Sequence, residues 1–421
     1  MSHYAIIAPP LYSHVRALEA LAQQLLARGH RITFIQQAEA RTLLNDTRIG
    51  FYAVGERSHP PGSLARTLQL TARPSGLGIF PLINDLTHTT DMLCRELPAA
   101  LTKLGVEGLI VDQMEAAGGL VAEALGLPFV SVACALPVNR DEAIPLPVMP
   151  FHYATDARSK KLYDSSTKIY DWLMRRQGEV IARHARALGV RERRGLHECL
   201  SPLAQISQTL PAFDFPRQLP ACFHAVGPLR DAHPVPSLAA AATHAPLVFA
   251  SLGTLQGHRY RLFRKIAQAC QQLNVRLLIA HCGGLNERQT AKLAAYGAQV
   301  TDFADQSAVL GQAQAVITHG GLNTVMDAIA SATPVLAIPL AFDQPGVAAR
   351  VDYCGIGRQA SRFASSSTLA HHLSALLSDG GYRQRLIAMQ PQLQQAGGAA
   401  QAAEIAEQAL SGGSPVLAGA A

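Results

Sequence analysis

The sequence predicts an α/β protein of two doubly wound domains facing a central cleft. Three observations predict it. Short apolar runs alternate with segments of helical periodicity near both ends of the chain, an alternation that folds into parallel sheets. A proline- and alanine-rich stretch, "AVGPLRDAHPVPSLAAAATHAP", separates the two series. The chain has 421 residues, 48% of them hydrophobic, which suits two or three domains with sizeable cores.

The first series begins at "YAIIA" (Tyr4 to Ala8), an apolar run closed by Pro9 and Pro10, as expected of a buried strand. A helical pattern follows, with Ala17, Leu18, Leu21, Leu25 and Leu26 on one face and Gly29 at its end. "RITFI" (Arg31 to Ile35) is the next strand, so the chain opens β-α-β. "GLIVD" (Gly108 to Asp112) and "PFVSVA" (Pro128 to Ala133) repeat the theme around the helical "AAGGLVAEALG". "RPSGLGIFPLINDLTH" and "CALPVNRDEAIPLPVMPFHY" read as apolar, proline-rich loops, and Ala143 to Ser201 as helical and basic.

The second series starts at "LVFASLGT" (Leu247 to Thr254) and continues through "VRLLIAH", "AQVTDF", "AVITHGG" and "TPVLAIP". The expected domains are 1–230 and 247–411, with a linker at 231–246 and a disordered tail at 412–421. In a Rossmann-like pair of this kind, ligands sit at the carboxyl ends of the strands.

Several classes are disfavoured. No run of about 18 apolar residues suggests a membrane span. The start "MSHYAIIAPP" lacks the basic and apolar regions of a signal peptide. Seven scattered cysteines without a C-x-x-C pair fit reduced thiols, so a cytoplasmic location is expected. The net charge of +6 suits an anionic partner. No nucleic-acid motif is present, and no nucleic-acid partner is expected.

The chemistry concentrates in "ITHGGLNTVMDAIASATPVLAIPLAFDQP". "AVIT" is a strand, "HGGLN" its turn and "TVMDAIA" the start of a helix. Glycines there let backbone N–H groups approach a ligand, and a helix N-terminus attracts a diphosphate. Asn323 and Thr324 can cap the helix or touch the ligand. Ser251 and Thr254, after the first strand of this series, could reach the same phosphates. Asp343 and Gln344 follow another strand end, and a carboxylate with an amide suits vicinal sugar hydroxyls. Each element alone is also an ordinary loop or cap. There is no Walker A pattern, G-x-G-x-x-G, Asp-x-Asp or His/Cys metal spacing, so no metal and no cofactor is expected.

From Phe303 to Gln344 the chain resembles the nucleotide-sugar signature of the family 1, GT-B fold UDP-glycosyltransferases. The resemblance implies that Phe303 stacks on uracil and Gln306 contacts the base. It implies that His319, Gly321, Asn323 and Thr324 hold the diphosphate, that Asp327 stands where the family has a glutamate on the ribose, and that Asp343 and Gln344 hold the sugar. Here Asp305 replaces the family's proline before Gln306, and Phe303 replaces its usual tryptophan. In the first domain the family places a catalytic histidine after the first strand. "PPLYSHVRALEALAQQLLARGHRITF" makes that His14, with Ser13 where glycine is usual, and Asp112 matches its partner aspartate. An acceptor hydroxyl is a poor nucleophile; a neutral imidazole can take its proton, and a carboxylate fixes the tautomer. The outcome implied is inversion at the anomeric carbon.

Within the family, the whole chain resembles bacterial members that move glucose from UDP-glucose to a carotenoid diol. That implies UDP-glucose as donor and an apolar, membrane-dissolved alcohol as acceptor. Asp156 to Arg194 holds eleven Lys/Arg and five Asp/Glu, with Tyr163, Tyr170 and Trp172 among apolar residues at helical spacing. A solvated helical face and peripheral contact with an anionic membrane both fit it. The alternatives still open are another lipid or macrolide-like acceptor, a sugar-nucleotide epimerase on the same fold, and a non-catalytic subunit.

Overall fold

The computed structural model describes residues 1–74, 76–230 and 245–419. The first half contributes strands β1 (His3–Ile7), β2 (Arg31–Gln37), β3 (Gly50–Val54), β4 (Gly108–Asp112), β5 (Phe129–Ala133), β6 (Gln205–Ser207) and β7 (Phe223–Ala225). Its helices are α1 (Tyr12–Ala27), α2 (Ser63–Ala72), α3 (Ile79–Leu104), α4 (Ala116–Ala124), α5 (Ala157–Leu173) and α6 (Arg175–Ala187). The second half contributes β8 (Leu247–Ser251), β9 (Arg276–Ala280), β10 (Ala298–Thr301), β11 (Ala315–Thr318), β12 (Val335–Ala337) and β13 (Gly357–Gln359). Its helices are α7 (Gly253–Gln256), α8 (Tyr260–Gln272), α9 (Glu287–Ala294), α10 (Gln306–Leu310), α11 (Leu322–Ala330), α12 (Gln344–Tyr353), α13 (Ser366–Ser378), α14 (Gly381–Gln395) and α15 (Gly398–Gly412).

Both sheets are parallel at every pair, in the orders β3-β2-β1-β4-β5-β6-β7 and β10-β9-β8-β11-β12-β13. Each therefore reverses direction between its first and fourth strands, β1/β4 and β8/β11. At such a switch point the flanking crossovers part and leave a crevice beyond the strand ends. The central strands are buried on both faces, which is why "YAIIA" and "LVFAS" are continuous apolar runs without alternation. Helices cover both sides of each sheet and close separate cores.

Three expectations are corrected. The segment "RPSGLGIFPLINDLTH" is not all loop: from Ile79 it is the first part of the 26-residue α3. Pro81 falls in the first turn, where its missing N–H has no partner within the helix anyway. The second domain does not run to residue 411. α15 crosses back, and Ala402, Ala403, Ala406, Ala409 and Leu410 are buried with Tyr4, Leu18 and Leu21. Arg28 and His30 both bind Glu407, at 3.0 and 2.9 Å. The tail expected to be disordered is tethered as far as Ala418. Val416 N–H donates to Leu203 O at 2.9 Å, and Ala418 N–H to Ala221 O at 2.8 Å. Of the expected linker at 231–246, residues 231–244 lie outside the described residues.

The domains touch along one side of the cleft. The loop between β5 and α5 lies on α12, where Gly346 N–H donates to Pro147 O at 2.9 Å. A Cβ on Gly346 would stand 2.3 Å from that oxygen, so the contact requires glycine. The buried Arg350 of α12 pairs with Asp214 of the first domain at 2.7 Å and covers the Phe215 ring at 4.2 Å.

Candidate active site

His14 lies in the first turn of α1, beyond the end of β1. Asp112 is the last residue of β4, the strand hydrogen-bonded to β1. The switch point thus brings together two residues 98 apart in sequence: His14 Nδ1 and Asp112 Oδ2 are 2.7 Å apart. Asp112 is fully buried and also accepts from Met114 N–H at 2.8 Å. A buried carboxylate on Nδ1 keeps the proton there, which leaves Nε2 as the free base. Burial pulls the His14 pKa down, but the charge and hydrogen bond of Asp112, with the charge of Asp343, leave it raised above the ordinary histidine value.

Cys134 completes a cluster in which one ligand atom each of His14, Asp112 and Cys134 lies within 4.8 Å of the others. Burial raises the Cys134 thiol well above its ordinary value, and Nδ1 is engaged with the carboxylate. The chemistry of this set is that of a hydrogen-bonded His–Asp pair beside a neutral thiol.

Opposite, β8 and β11 end side by side, with Ser251 level with Thr318. His319 follows β11, and Gly320 turns the chain at φ +84° into α11. The His319 ring sits between two glycines: a Cβ on either Gly253 or Gly321 would come within 2.7 Å of its Cε1. Burial lowers its pKa to about 4, so His319 is neutral at pH 7 and offers an N–H without adding charge. Thr254, Gln306, Gly321, Asn323 and Thr324 line the same cleft. The Asn323 Oδ1 atom is buried there without a hydrogen-bond partner among the described residues.

Asp343 and Gln344 begin α12. Phe342 precedes them at φ +54°, a left-handed conformation that a bulky residue rarely adopts. Gln344 Oε1 accepts from Leu340 and Ala341 N–H at 2.9 and 2.8 Å, which fixes this turn. Asp343 Oδ2 accepts from Leu136 N–H of the first domain at 3.0 Å. Burial raises the Asp343 pKa.

Four expected site residues stand outside the cleft lining: Asp112, which lies behind His14, and Ser251, Phe303 and Asp327. Ser251 shapes its loop instead, accepting from Gly253 N–H at 3.4 Å. Phe303 follows β10 and is 70% exposed. Asp327 is buried behind the lining, where Gln306 Nε2 donates to it at 2.5 Å and Arg230 pairs with it. Sequence reasoning missed Arg230, for which a lone arginine before a linker gives no signal. It also missed Gln256, a residue of the cleft wall whose buried Nε2 has no partner among the described residues. Glu115 was missed too, although it follows the "GLIVD" strand end by three residues. It caps α4 through Ala117 N–H at 3.2 Å, and burial raises its pKa to about 7.

The whole cleft encloses about 1570 Å³. That exceeds the roughly 300–1,000 Å³ of an ordinary small-molecule pocket. Part of the cleft lining is apolar, made by Ile79, Leu82, Ile83 and Leu86 of α3 and by Leu146, Val148 and Met149 of the β5–α5 loop. A sequence model of the family described as UDP-glucoronosyl and UDP-glucosyl transferase matches residues 5–391. The chain belongs to this family. As a UDP-glycosyltransferase it takes a UDP-sugar donor and a small-molecule acceptor. It is 57% identical to a zeaxanthin glucosyltransferase of Pantoea ananas, over 100% of this chain and 98% of that protein. To a second zeaxanthin glucosyltransferase, from Pseudescherichia vulneris, it is 52% identical over 99% of this chain and all of that one. Among solved structures, the glycotransferase of kitacinnamycin superposes with a TM-score of 0.76 at 17% identity, covering 97% of this chain and 99% of that one. The likeness confirms the GT-B fold for this UDP-glycosyltransferase. Among the described residues, no helix is long and apolar enough to cross a membrane.

Proposed function

We propose that this enzyme moves glucose from UDP-glucose to the hydroxyl groups of zeaxanthin, with inversion, giving the β-glucoside and then the diglucoside in carotenoid biosynthesis. The observation that carries the proposal is the large cleft whose apolar side ends at the His14–Asp112 pair, in a chain 57% identical to a zeaxanthin glucosyltransferase.

The acceptor hydroxyl enters along the apolar wall and meets His14 Nε2. As the C–O bond forms at the anomeric carbon, Nε2 takes the hydroxyl proton and Asp112 stabilises the imidazolium. UDP leaves on the opposite face. Its diphosphate is held by the N-terminus of α11, neutral His319, Asn323, Thr324 and Thr254, with no metal required. Asp343 and Gln344 hold the hexose, Gln306 contacts the base on which Phe303 stacks, and Asp327, behind the lining, orients Gln306. Asp343 gives up its bond to Leu136 N–H when sugar hydroxyls arrive. The acceptor's chemistry brings the protein to the inner face of a membrane, as a cytoplasmic enzyme in peripheral contact with it.

The deciding experiment measures UDP release from UDP-glucose with and without detergent-dispersed zeaxanthin. Zeaxanthin-dependent release with a more polar carotenoid product is the expected result. Release without dependence on zeaxanthin would reassign the acceptor, and no release or binding of UDP-glucose would reassign the donor.

A further inference from the structure

Helix α5 has two unlike sides. Tyr163 and Ser166 are buried, and Tyr170 and Leu173 line the cleft. At about 100° per residue, Leu162, Ile169 and Trp172 fall within about 80° of one another on the side adjoining these, with Arg158 among them and Lys161 and Lys168 beyond Trp172. Leu162, Ile169 and Trp172 are 45%, 59% and 56% exposed. A soluble helix does not ordinarily hold three large apolar side chains in water along one stripe.

Two further observations single out what this stripe meets. Arg158, Lys160, Lys161, Arg175 and Arg176 are all exposed, and none forms an ion pair among the described residues; Lys168 pairs with Asp164 at 2.7 Å. Arg175 instead lies over the Trp172 ring at 4.8 Å, an arrangement that suits a boundary between water and hydrocarbon. Next, Leu77 and Phe80 stand exposed at the start of α3, beside Ile79, Leu82 and Ile83, which line the cleft. The exposed apolar groups of α3 and of α5 thus each border residues that line the cleft: Ile79, Leu82 and Ile83 on α3, Tyr170 and Leu173 on α5.

We propose that the outer face of α5, together with Leu77 and Phe80, docks on an anionic lipid bilayer. The apolar side chains enter the acyl boundary and the basic ones meet lipid phosphates. The acceptor side of the cleft then faces the bilayer, and an alcohol dissolved in lipid passes into it without crossing water. The proposal rests on the reading of the acceptor as membrane-dissolved and names the surface that reading requires.

Trp172 is the chain's single tryptophan, so its fluorescence reports on this face alone. The test titrates the full-length protein with vesicles of phosphatidylglycerol and phosphatidylcholine, and with vesicles of phosphatidylcholine only. The expected result is a blue shift of Trp172 emission and co-sedimentation with the anionic vesicles. Both should weaken about tenfold or more in the neutral ones. Leu162→Ser with Ile169→Ser should lower co-sedimentation about tenfold, while UDP release with detergent-dispersed acceptor stays within about twofold of wild type. Absence of a shift with anionic vesicles, or a shift that follows protein concentration without lipid, would overturn the proposal. The second of these would assign the face to a second copy of the chain. Activity with dispersed zeaxanthin is read separately, so loss of the acceptor assignment and loss of the docking surface are distinguishable.

Discussion

The two walls of the cleft are made in different ways. The donor wall is built from backbone turns and short polar side chains at the ends of β8, β11 and β12, most of them within Phe303 to Gln344. The acceptor wall is built from apolar side chains of α3 and of the β5–α5 loop, more than 50 residues apart in sequence. The donor wall has to match a fixed nucleotide diphosphate. The acceptor wall has to shed water and leave room. Fixed spacing follows from the first demand, and greasy, variable segments from the second.

Substitutions on one wall should spare the other. The largest effect expected is for His14→Ala, with kcat reduced about 10²–10⁴-fold and UDP-glucose affinity unchanged. A joint loss of donor affinity would mean that His14 shapes the donor wall as well. Asp112→Asn should cost about 10²-fold or more by releasing the His14 tautomer. In the wild type, kcat/KM should fall as pH drops through a value above the ordinary 6.5, because the base must be neutral and its pKa is raised. Asp112→Asn should move that limb to lower pH, which a plain loss of structure would not do.

On the opposite wall, Gly321→Ala presses a methyl group against His319. It should raise the Kd for UDP about tenfold, measured by calorimetry, with the vesicle response of Trp172 unaltered. The remaining effect concerns stability rather than turnover or binding and belongs to the acceptor side. Glu115 prefers its proton in the folded state, since its pKa rises from 4.5 to about 7. Its stabilising contribution is complete below pH 4.5 and is lost as pH rises through about 7. Glu115→Gln should therefore melt higher than wild type at pH 8.5, by at most about 3 kcal/mol, and equally at pH 4.5. Equal melting at both values would show that the carboxyl ionises without cost.

This contrast also governs what could be read in the sequence. Strand–turn–helix junctions carry apolar runs, glycines and caps at fixed distances, so β1, β4, β8 and β11 and the cleft beyond them were legible. The pairing of His14 with Asp112 was legible through the family resemblance, and the switch point that joins β1 and β4 is what brings the two side chains together. Helix α3 was misjudged because proline and glycine near its start resemble loop chemistry, although proline in a first turn does no harm. The Arg230–Asp327 pair was not legible, because long-range pairing of single charges leaves no periodic trace. Nor was the return of α15. Its alanine-rich pattern shows an amphipathic helix without showing which domain it will cover.

That return has a consequence for synthesis. The core around Tyr4 and Leu18 is completed by Ala402, Ala406 and Leu410. A nascent chain therefore cannot finish its first domain when that domain's own strands have emerged. The β1 layer waits, with one apolar flank uncovered, until α15 has left the ribosome. A transcript truncated anywhere in the second half should yield a sticky, protease-sensitive first half rather than an acceptor-binding domain.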